Sequence, residues 1–516
     1  MAPGADEGLR DNRRMPNRVA AGTVVGIILL AVLGAVMGPQ WDPVPLTDPL
    51  EVQSASTAIG GAPEAVRYEV RTTVVSVQLD GAVVQAQISE PVGAPGERAG
   101  VVFVHGAGTG KFSTAFEEQA YALAESGVVA MVPDKRLDTY TARHRDYVAM
   151  AADYARSVEV LRGWADVDPA RVGLYGESEG AWIAPVMAAQ DPSLAFVALV
   201  SAPVVPPRQQ AAFATDSYLR NTGVPSGVFR AIPRAVGMSL PGGGFEYADF
   251  DVAPYQRQMR QPVLVVYGTG DASMPLVQGA EQIIRDTAIA GSADYTVRYY
   301  EGASHGIRVG GVVVEEFLRD LTGWVRGLPE TSGARPRIAG AQPVQDYWAA
   351  PVPTPRWLGD GDVVLATVGG GVALLAVGPF VHLGTVVNRT VRRRRGDPER
   401  PDGLAAGVRG RADALRLLAV ATVAALVWYL VAVARLALGY ERNVWVVQGG
   451  WIGVRGLGIA AVVAGVALLD RSRRLREAGQ RVTTGRVAAV ELWTSVVGAG
   501  VILVVLAYWG VYQLGI

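Results

Sequence analysis

The sequence lacks cysteine and is poor in histidine and lysine. Without cysteine the chain cannot form disulfides, use a thiol nucleophile, or hold iron–sulfur clusters or zinc through thiolates. Its four histidines, at positions 105, 144, 305 and 382, leave little for a histidine-based metal site. We therefore expect no metal site; no organic cofactor is expected either, because the chemistry that the motifs below indicate needs none. Lys111 and Lys135 are the only lysines among 47 basic residues, an arginine bias that is typical of bacterial genomes of high GC content.

Charge is also scarce in this chain. Charged residues make up 18% of the 516 positions and the formal net charge is −1, so no global basic field indicates a nucleic-acid partner. Hydrophobic residues make up 50% of the chain, and the mean hydropathy is +0.23. A soluble globular protein of this length is rarely so apolar, and a disordered chain never is.

The hydrophobic residues are concentrated in five long runs, each near the length that crosses a hydrocarbon core of ~30 Å. The runs are Val19–Met37, Val363–Val387, Leu417–Leu438, Val444–Leu469 and Val487–Ile516. We therefore predict an N-terminal signal anchor at 19–38 and a four-helix transmembrane region at 361–516. A cleaved signal peptide is the alternative for the first run, but Val36-Met37-Gly38 is a poor cleavage site.

The arginines between these runs predict the topology. Residues 1–18 carry four arginines, 388–416 carry nine and 470–486 carry six, and arginine-rich loops favour the cytoplasm. This places 39–360 outside the cytoplasmic membrane of a bacterium, with the lipid bilayer as a partner. Arg435, Arg455 and Glu491 lie in or near the apolar runs. Such charges suggest function, although snorkelling near the ends of the runs also explains them.

The region outside the membrane alternates short apolar runs with helical patterns, which predicts βαβ units and a mostly parallel sheet. We expect an α/β domain at 66–328, with a lid inserted at about 204–258, between linkers at 39–65 and 329–360. The predicted strands are Val101–Val104, Val128–Val132, Arg171–Tyr175, Phe196–Val200, Pro262–Tyr267 and Tyr295–Tyr300. The predicted helices are Phe112–Ser126, Asp146–Trp164, Glu179–Gln190 and Val312–Val325.

Two G-x-S-x-G motifs mark candidate serine nucleophiles, at Ser178 and Ser304. A nucleophile elbow needs a strand before the serine, a helix after it, and small residues at the crowded turn. Ser178 has all three, whereas Ser304 lies beside His305, and Gly306 breaks any helix after it. We therefore predict Ser178 as the nucleophile.

A serine nucleophile needs a base, and the base needs a carboxylate to orient it. His305 is the one histidine after Ser178 that lies outside the apolar runs, and it comes after a predicted strand. Asp271 ends the strand-like run from Val263, on the loop where the carboxylate that orients the histidine is expected. The alternative carboxylates lie in the predicted lid and fit this role less well: Glu246, Asp249 and Asp251.

An acyl-transfer site also needs N–H donors for the developing oxyanion. The glycine-flanked segment after the strand at 101–104 and the residue after the nucleophile are suited to that role. The expected donors are the backbone N–H groups of Ala107 and Glu179.

These segments resemble the α/β-hydrolase superfamily over roughly residues 66–328, and more narrowly its dienelactone-hydrolase-like and prolyl-oligopeptidase-like serine hydrolases. The resemblance is carried by VVFVHGAG (101–108), VPDKR (132–136), DPARVGLYGESEGAWIAP (168–185), VYGTGDASMP (266–275) and GASHG (302–306). It implies an α/β-hydrolase fold, a Ser-Asp-His triad and an acyl-enzyme intermediate. The four C-terminal apolar runs lie outside it.

We predict a membrane-anchored extracytoplasmic serine hydrolase that cleaves carboxylic esters or thioesters, with a small-molecule or lipid-like ester as substrate. One alternative is a serine peptidase or aminopeptidase of the same superfamily. The other is a non-catalytic membrane sensor or transporter whose hydrolase-like domain only binds a ligand.

Overall fold

The computed structural model describes residues 5–395, 403–438 and 441–514. The chain divides into two compact units. The sheet unit comprises Asp42–Ser217 and Gly244–Pro351, and the helical unit comprises Met1–Trp41, Tyr218–Gly243 and Val352–Ile516.

The strands of the described residues range from two to eleven residues in length. They are β1 Val70–Leu79, β2 Ala82–Pro91, β3 Arg98–Val104, β4 Val129–Pro133, β5 Val167–Glu177, β6 Val197–Val200, β7 Val263–Gly268, β8 Tyr295–Tyr300, β9 Arg308–Val309, β10 Val312–Val313, β11 Ile338–Gly340, β12 Gly403–Leu404 and β13 Thr483–Thr484.

The α-helices of the described residues include five long apolar ones. They are α1 Ala5–Met37, α2 Glu117–Glu125, α3 Tyr147–Arg162, α4 Gly180–Gln190, α5 Pro207–Asn221, α6 Ala231–Val236, α7 Ala253–Gln256, α8 Leu276–Ile289, α9 Glu315–Arg326, α10 Gly361–Arg395, α11 Arg409–Leu438, α12 Gly450–Glu477 and α13 Arg486–Tyr508. Short 3₁₀ segments occur at Phe112–Thr114 and Ser226–Arg230, and a π-helical turn at Trp445–Gly449 precedes α12.

Nine strands of the sheet unit form one sheet in the order β1-β2-β4-β3-β5-β6-β7-β8-β11. The β1–β2 and β2–β4 pairs are antiparallel, and every pair from β4 to β11 is parallel. The predicted mostly parallel sheet is therefore confirmed. All seven residues of β3 are buried, because helices cover both faces of a parallel sheet.

Two apolar clusters form the core, one on each face of this sheet. Residues of α3, α4 and α8 pack in one cluster, and residues of α2 and α9 pack in the other. The chain goes from β3 to β4 on one side and then to β5 on the other side of β3. Such a switch in direction opens a crevice at the carboxyl ends of the strands, where ligands bind in open α/β sheets.

The six predicted strands correspond to β3–β8, while several other elements differ from the sequence expectation. The β1–β2 hairpin was not predicted, although Asp80-Gly81 at its turn, with Gly81 at φ +76°, is a hairpin signal. The predicted helix at 112–126 begins only at Glu117, after a 3₁₀ turn. The helix predicted from Val312 begins at Glu315, because Val312 and Val313 pair with β9.

The segments predicted as linker and lid are also distributed differently. Ile338–Gly340, inside the expected linker, forms the edge strand β11 beside β8. Residues 218–243, from the middle of the expected lid, belong to the helical unit rather than to the sheet unit. Whether the remainder acts as a lid stays a prediction.

Five helices within the described residues are long and apolar enough to cross a membrane: Arg18–Met37, Gly361–Arg395, Arg409–Ala437, Trp445–Glu477 and Arg486–Tyr508. The last predicted run ends earlier than expected, because α13 stops at Tyr508 and is succeeded by a turn with Gly510 at φ +86°. Arg400, one of the arginines behind the topology prediction, and Ile516 lie outside the described residues.

Glu491 and Arg455, two of the three charges noted in the apolar runs, have partners within the helical unit. Glu491 of α13 is buried and pairs with Arg416 of α11 at 3.4 Å, and Arg416 also donates to Ser495 Oγ at 2.7 Å. Arg455 donates to the backbone oxygen of Gln513 at 2.6 Å, whereas Arg435 is exposed. A buried charge needs such partners, so the structural explanation suffices for Glu491 and Arg455.

Candidate active site

Ser178 stands on a sharp turn between β5 and α4. Its φ of +55° is unusual for a residue with a side chain and is typical of a nucleophile elbow. The turn is crowded: a Cβ on Gly180 would lie 2.1 Å from the backbone oxygen of Val104, so only glycine fits there. The sequence therefore places its small residues where the backbone needs them.

Asp271 and His305 meet at the same edge of the sheet. Asp271 comes after β7 and His305 after β8, and these strands are parallel, so both loops leave at the carboxyl edge that also carries Ser178. The distance from His305 Nδ1 to Asp271 Oδ2 is 2.8 Å. The other Asp271 oxygen accepts from the Ser273 hydroxyl at 2.6 Å and from the Ser273 N–H at 3.0 Å.

Burial and pairing act in opposite directions on these two groups. Burial disfavours the charged imidazole, but the hydrogen bond to Asp271, its charge and the charge of Glu177 outweigh burial and raise the pKa of His305. Burial likewise disfavours the Asp271 carboxylate, but His305 and Ser273 hydrogen-bond to it and lower the pKa of Asp271. The pair therefore favours an ionised aspartate holding a basic imidazole.

Ser178 belongs to the same edge of the sheet as this pair, because β5, β6, β7 and β8 are parallel, but it is not hydrogen-bonded to the pair among the described residues. Among the described residues, Ser178 Oγ makes no hydrogen bond with His305, and catalytic hydrogen bonds without substrate are often long. The residue after His305 nevertheless approaches the residue before Ser178. A Cβ on Gly306 would lie 3.2 Å from Glu177 Oε1.

The two expected oxyanion donors have free N–H groups. Neither the Ala107 N–H nor the Glu179 N–H donates a hydrogen bond within the described part of the chain. The loop after β3 lies close to the elbow, since a Cβ on Gly106 would be 3.2 Å from Ser178 Cβ and 3.8 Å from Ser178 Oγ. Both donors thus belong to segments that adjoin Ser178.

A buried ion pair, which the sequence analysis did not predict, connects these two segments. Lys135 Nζ donates to Glu179 Oε2 at 2.9 Å and to the backbone oxygen of Gly106 at 2.6 Å, and both side chains are 1% exposed. The Gly106 oxygen belongs to the same peptide group as the Ala107 N–H. In a trans peptide the C=O and N–H point in opposite directions, so Lys135 orients the N–H away from itself.

Other polar side chains complete the shell around Glu179. Its second oxygen, Oε1, lies 2.7 Å from Arg145 Nη1, and the hydroxyls of Tyr140 and Tyr147 donate to the carboxylate at 3.1 and 3.3 Å. A buried carboxylate is stable only when charged and hydrogen-bonded groups replace water in this way. Lys135 belongs to one of the segments that carry the family resemblance, VPDKR (132–136). Only the fold shows that its side chain reaches Glu179.

His105 holds the loop after β3 through two contacts. Its Nε2 lies 2.7 Å from the backbone oxygen of Pro133, and its Nδ1 lies 3.1 Å from the hydroxyl of Thr109. Burial lowers the pKa of His105 to about 4, so the ring is neutral near pH 7 and donates to Pro133 from Nε2. We therefore assign His105 a structural role in holding this loop and no role in the reaction.

The alternative candidates from the sequence have other contacts. The Ser304 hydroxyl donates to the backbone oxygen of Arg308 at 2.9 Å. Glu246 contacts His144, Asp249 pairs with Arg208 at 2.8 Å, and Asp251 accepts from the N–H of Ala253. Within the described residues, no group of three or more His, Asp or Glu side chains could hold a metal ion.

Comparisons with known proteins bear on the class of protein. Residues 115–328 match the model of the prolyl oligopeptidase family. Together with the parallel sheet, this match supports a serine hydrolase with the α/β-hydrolase fold. A comparison with curated proteins finds no match.

Solved structures with detectable similarity include hydrolases of different kinds. An esterase of the archaeon Pyrobaculum calidifontis is 20% identical, with a TM-score of 0.38 over 50% of this chain and 83% of its own. A dienelactone hydrolase of Anabaena variabilis is 17% identical, with a TM-score of 0.34 over 50% and 97%. A puromycin-hydrolyzing peptidase of Mycobacterium tuberculosis is 20% identical, with a TM-score of 0.37 over 55% and 42%.

Proposed function

We propose that this protein is a membrane-anchored serine hydrolase that cleaves carboxylic esters or thioesters outside the cytoplasm. The observation that carries the proposal is the 2.8 Å contact between His305 and Asp271, at the sheet edge where Ser178 occupies a nucleophile elbow. The match to a family of serine hydrolases supports it. The five apolar helices support the anchoring.

In the proposed reaction, the Ser178 hydroxyl attacks the acyl carbon while His305 Nε2 accepts its proton. Asp271 holds the opposite nitrogen, so the ring has the correct tautomer and the imidazolium is stabilised. His305 then returns the proton to the departing alcohol or thiol, which leaves an acyl-enzyme on Ser178. Water, deprotonated by His305, releases the acid and restores the serine.

The negative charge that develops on the acyl oxygen requires donors that are already in place. We assign this role to the N–H groups of Ala107 and Glu179, which are free of other hydrogen bonds in the described protein. Lys135 supports both, since it binds the Gly106 oxygen and the Glu179 carboxylate together. Donors held in this way need no reorganisation when the charge appears.

The first experiment is labelling of the full-length protein in detergent with a fluorophosphonate probe. We expect the wild type and Ser304→Ala to be labelled, and Ser178→Ala to be unlabelled. Ser304→Ala is a matched control because it removes the serine of the second G-x-S-x-G motif. Absence of labelling in a folded wild type would contradict the proposal and favour the ligand-binding alternative.

Hydrolysis of peptide amides is the second candidate, because the matching family model is that of the prolyl oligopeptidases. Hydrolysis rates on matched p-nitrophenyl esters and aminoacyl p-nitroanilides distinguish an esterase from a peptidase. Ester turnover at least tenfold faster than amide turnover would support an esterase. Comparable rates, both lost in Ser178→Ala, would identify a peptidase instead.

A further inference from the structure

A polar pocket of about 390 Å³ lies within the helical unit, among α1, α11 and α12. Arg411, Arg471 and Arg474 line it, with Asp470 as the one carboxylate in its wall. Three guanidinium groups therefore face one acid. The sequence analysis treated these arginines only as determinants of topology.

Two of the guanidinium groups converge on one turn. Arg411 Nη1 donates to the backbone oxygen of Gly407 at 2.6 Å, and Arg471 donates to that of Ala406 at 3.2 Å. A Cβ on Gly407 would lie 3.0 Å from Arg411 Nη1 and 3.5 Å from Arg471 Nε. Both charges thus approach the same point, and like charges at such a distance repel each other.

Neither of these two arginines is neutralised by a carboxylate of the described residues. Within the described residues Arg411 and Arg471 hydrogen-bond to backbone oxygens and form no ion pair with a carboxylate. Asp470 is occupied by Arg474, whose Nη2 lies 2.7 Å from it. The Nε of Arg474 is buried and has no hydrogen-bond partner among the described atoms. A bound anion would relieve the repulsion between Arg411 and Arg471.

The chemistry of the pocket selects the anion. Guanidinium groups match the oxygens of phosphate in charge and in fork geometry. The apolar residues Val19 and Ala467 belong to the same wall. Val19 lies at the start of the apolar segment Arg18–Met37, and the arginines of α12 lie near the end of Trp445–Glu477, where water meets lipid in the predicted topology. Basic pockets between membrane helices on this side bind anionic headgroups.

We propose that this pocket binds a phosphate group, and that the group is the headgroup of an anionic membrane lipid rather than free phosphate. The site would attach the helical unit to anionic lipid on the side predicted to be cytoplasmic. It is independent of the hydrolase chemistry, because none of its residues belongs to the sheet unit.

The test uses native mass spectrometry of the full-length protein in a neutral detergent. Phosphatidylglycerol, phosphatidylcholine with the same acyl chains, and inorganic phosphate are titrated separately. We expect one saturable phosphatidylglycerol site with at least tenfold preference over phosphatidylcholine. Arg411→Gln and Arg471→Gln should each weaken it about fivefold, which corresponds to about 1 kcal/mol per arginine near an anionic surface.

The matched control is Arg476→Gln, which removes one charge, as each pocket variant does, from an exposed position of α12. It should leave phosphatidylglycerol binding unchanged, and Arg471→Lys, which keeps the charge, should retain more affinity than Arg471→Gln. Circular dichroism and gel filtration establish that each variant is folded. Equal losses in control and pocket variants, or none in the pocket variants, would overturn the site. Phosphate binding as tightly as the lipid would overturn the lipid assignment.

Discussion

At the residue scale, the charges of Asp271 and Glu177 determine how the proposed base, His305, responds to pH. Asp271 is bonded to the ring, and Glu177 lies nearby with its own carboxylate bound by the Tyr175 hydroxyl at 2.8 Å. Both charges favour the imidazolium, and they raise the pKa of His305 despite burial. The neutral ring is the form that can accept the Ser178 proton, so activity falls as pH decreases through this raised pKa.

We therefore expect the acid limb of the kcat/KM profile to have its midpoint above 6.5, the ordinary value for histidine. Asp271→Asn should move this limb to lower pH and reduce kcat on the order of 10³–10⁴-fold, because the ring loses its orientation and its stabilising charge. Ester hydrolysis between pH 5 and 9 provides the measurement. Asp249→Asn, at an exposed pair with Arg208, is the control. If Asp271→Asn did not move the acid limb, the assignment of Asp271 as the partner of His305 would be contradicted.

At the element scale, the loops after β3, β4 and β5 depend on one another. Lys135 comes after β4 and binds both the loop after β3 and the first turn after β5. Burial lowers the pKa of Lys135, while the Glu179 carboxylate opposes that effect and favours the charged amine. The pair is therefore a clamp on the two proposed oxyanion donors, and its loss should affect the transition state more than substrate binding.

The two lysines of the chain allow a matched comparison. Lys135→Met should lower kcat about 10²–10³-fold with a smaller effect on KM, because the donors are no longer held in place. It should also destabilise the fold by about 3–5 kcal/mol, since Glu179 is left buried with less compensation. Lys111→Met removes a lysine whose side chain is 56% exposed and pairs with Asp134 rather than Glu179, so kcat should change little. Steady-state kinetics and thermal unfolding measure the two effects. Equal kinetic losses in both variants would refute the clamp.

At the scale of the whole molecule, the predicted topology can be tested on a chain without cysteine, since an introduced thiol has no background. Glu97 of the sheet unit and Ala478 between α12 and α13 are both exposed. With the predicted orientation, Glu97→Cys should react with a membrane-impermeant maleimide in intact cells. Ala478→Cys should react only after permeabilisation. The reverse pattern would place the hydrolase domain in the cytoplasm.

Local features of the sequence were sufficient to predict the strands β3–β8, the five apolar helices and Ser178 as the candidate nucleophile. Run length alone indicated the five apolar helices, and buried valine-rich runs between helical patterns indicated β3–β8. The segment 171–190 indicated the nucleophile elbow, because the strand, the serine, the glycines and the helix that form an elbow are all neighbours in sequence. The β1–β2 hairpin was missed although its turn signal is present.

Contacts between distant residues were decided only by the tertiary structure. Lys135 and Glu179 are 44 positions apart, and Asp271 and His305 are 34 apart; both pairs meet because parallel strands bring their carboxyl ends to one edge. Arg411 and Arg471 likewise meet through the packing of α11 against α12. The sequence by itself determined the strands β3–β8 and the five apolar helices, since periodicity and run length are local. The fold decided which charges face one another, since that depends on strand order and helix packing.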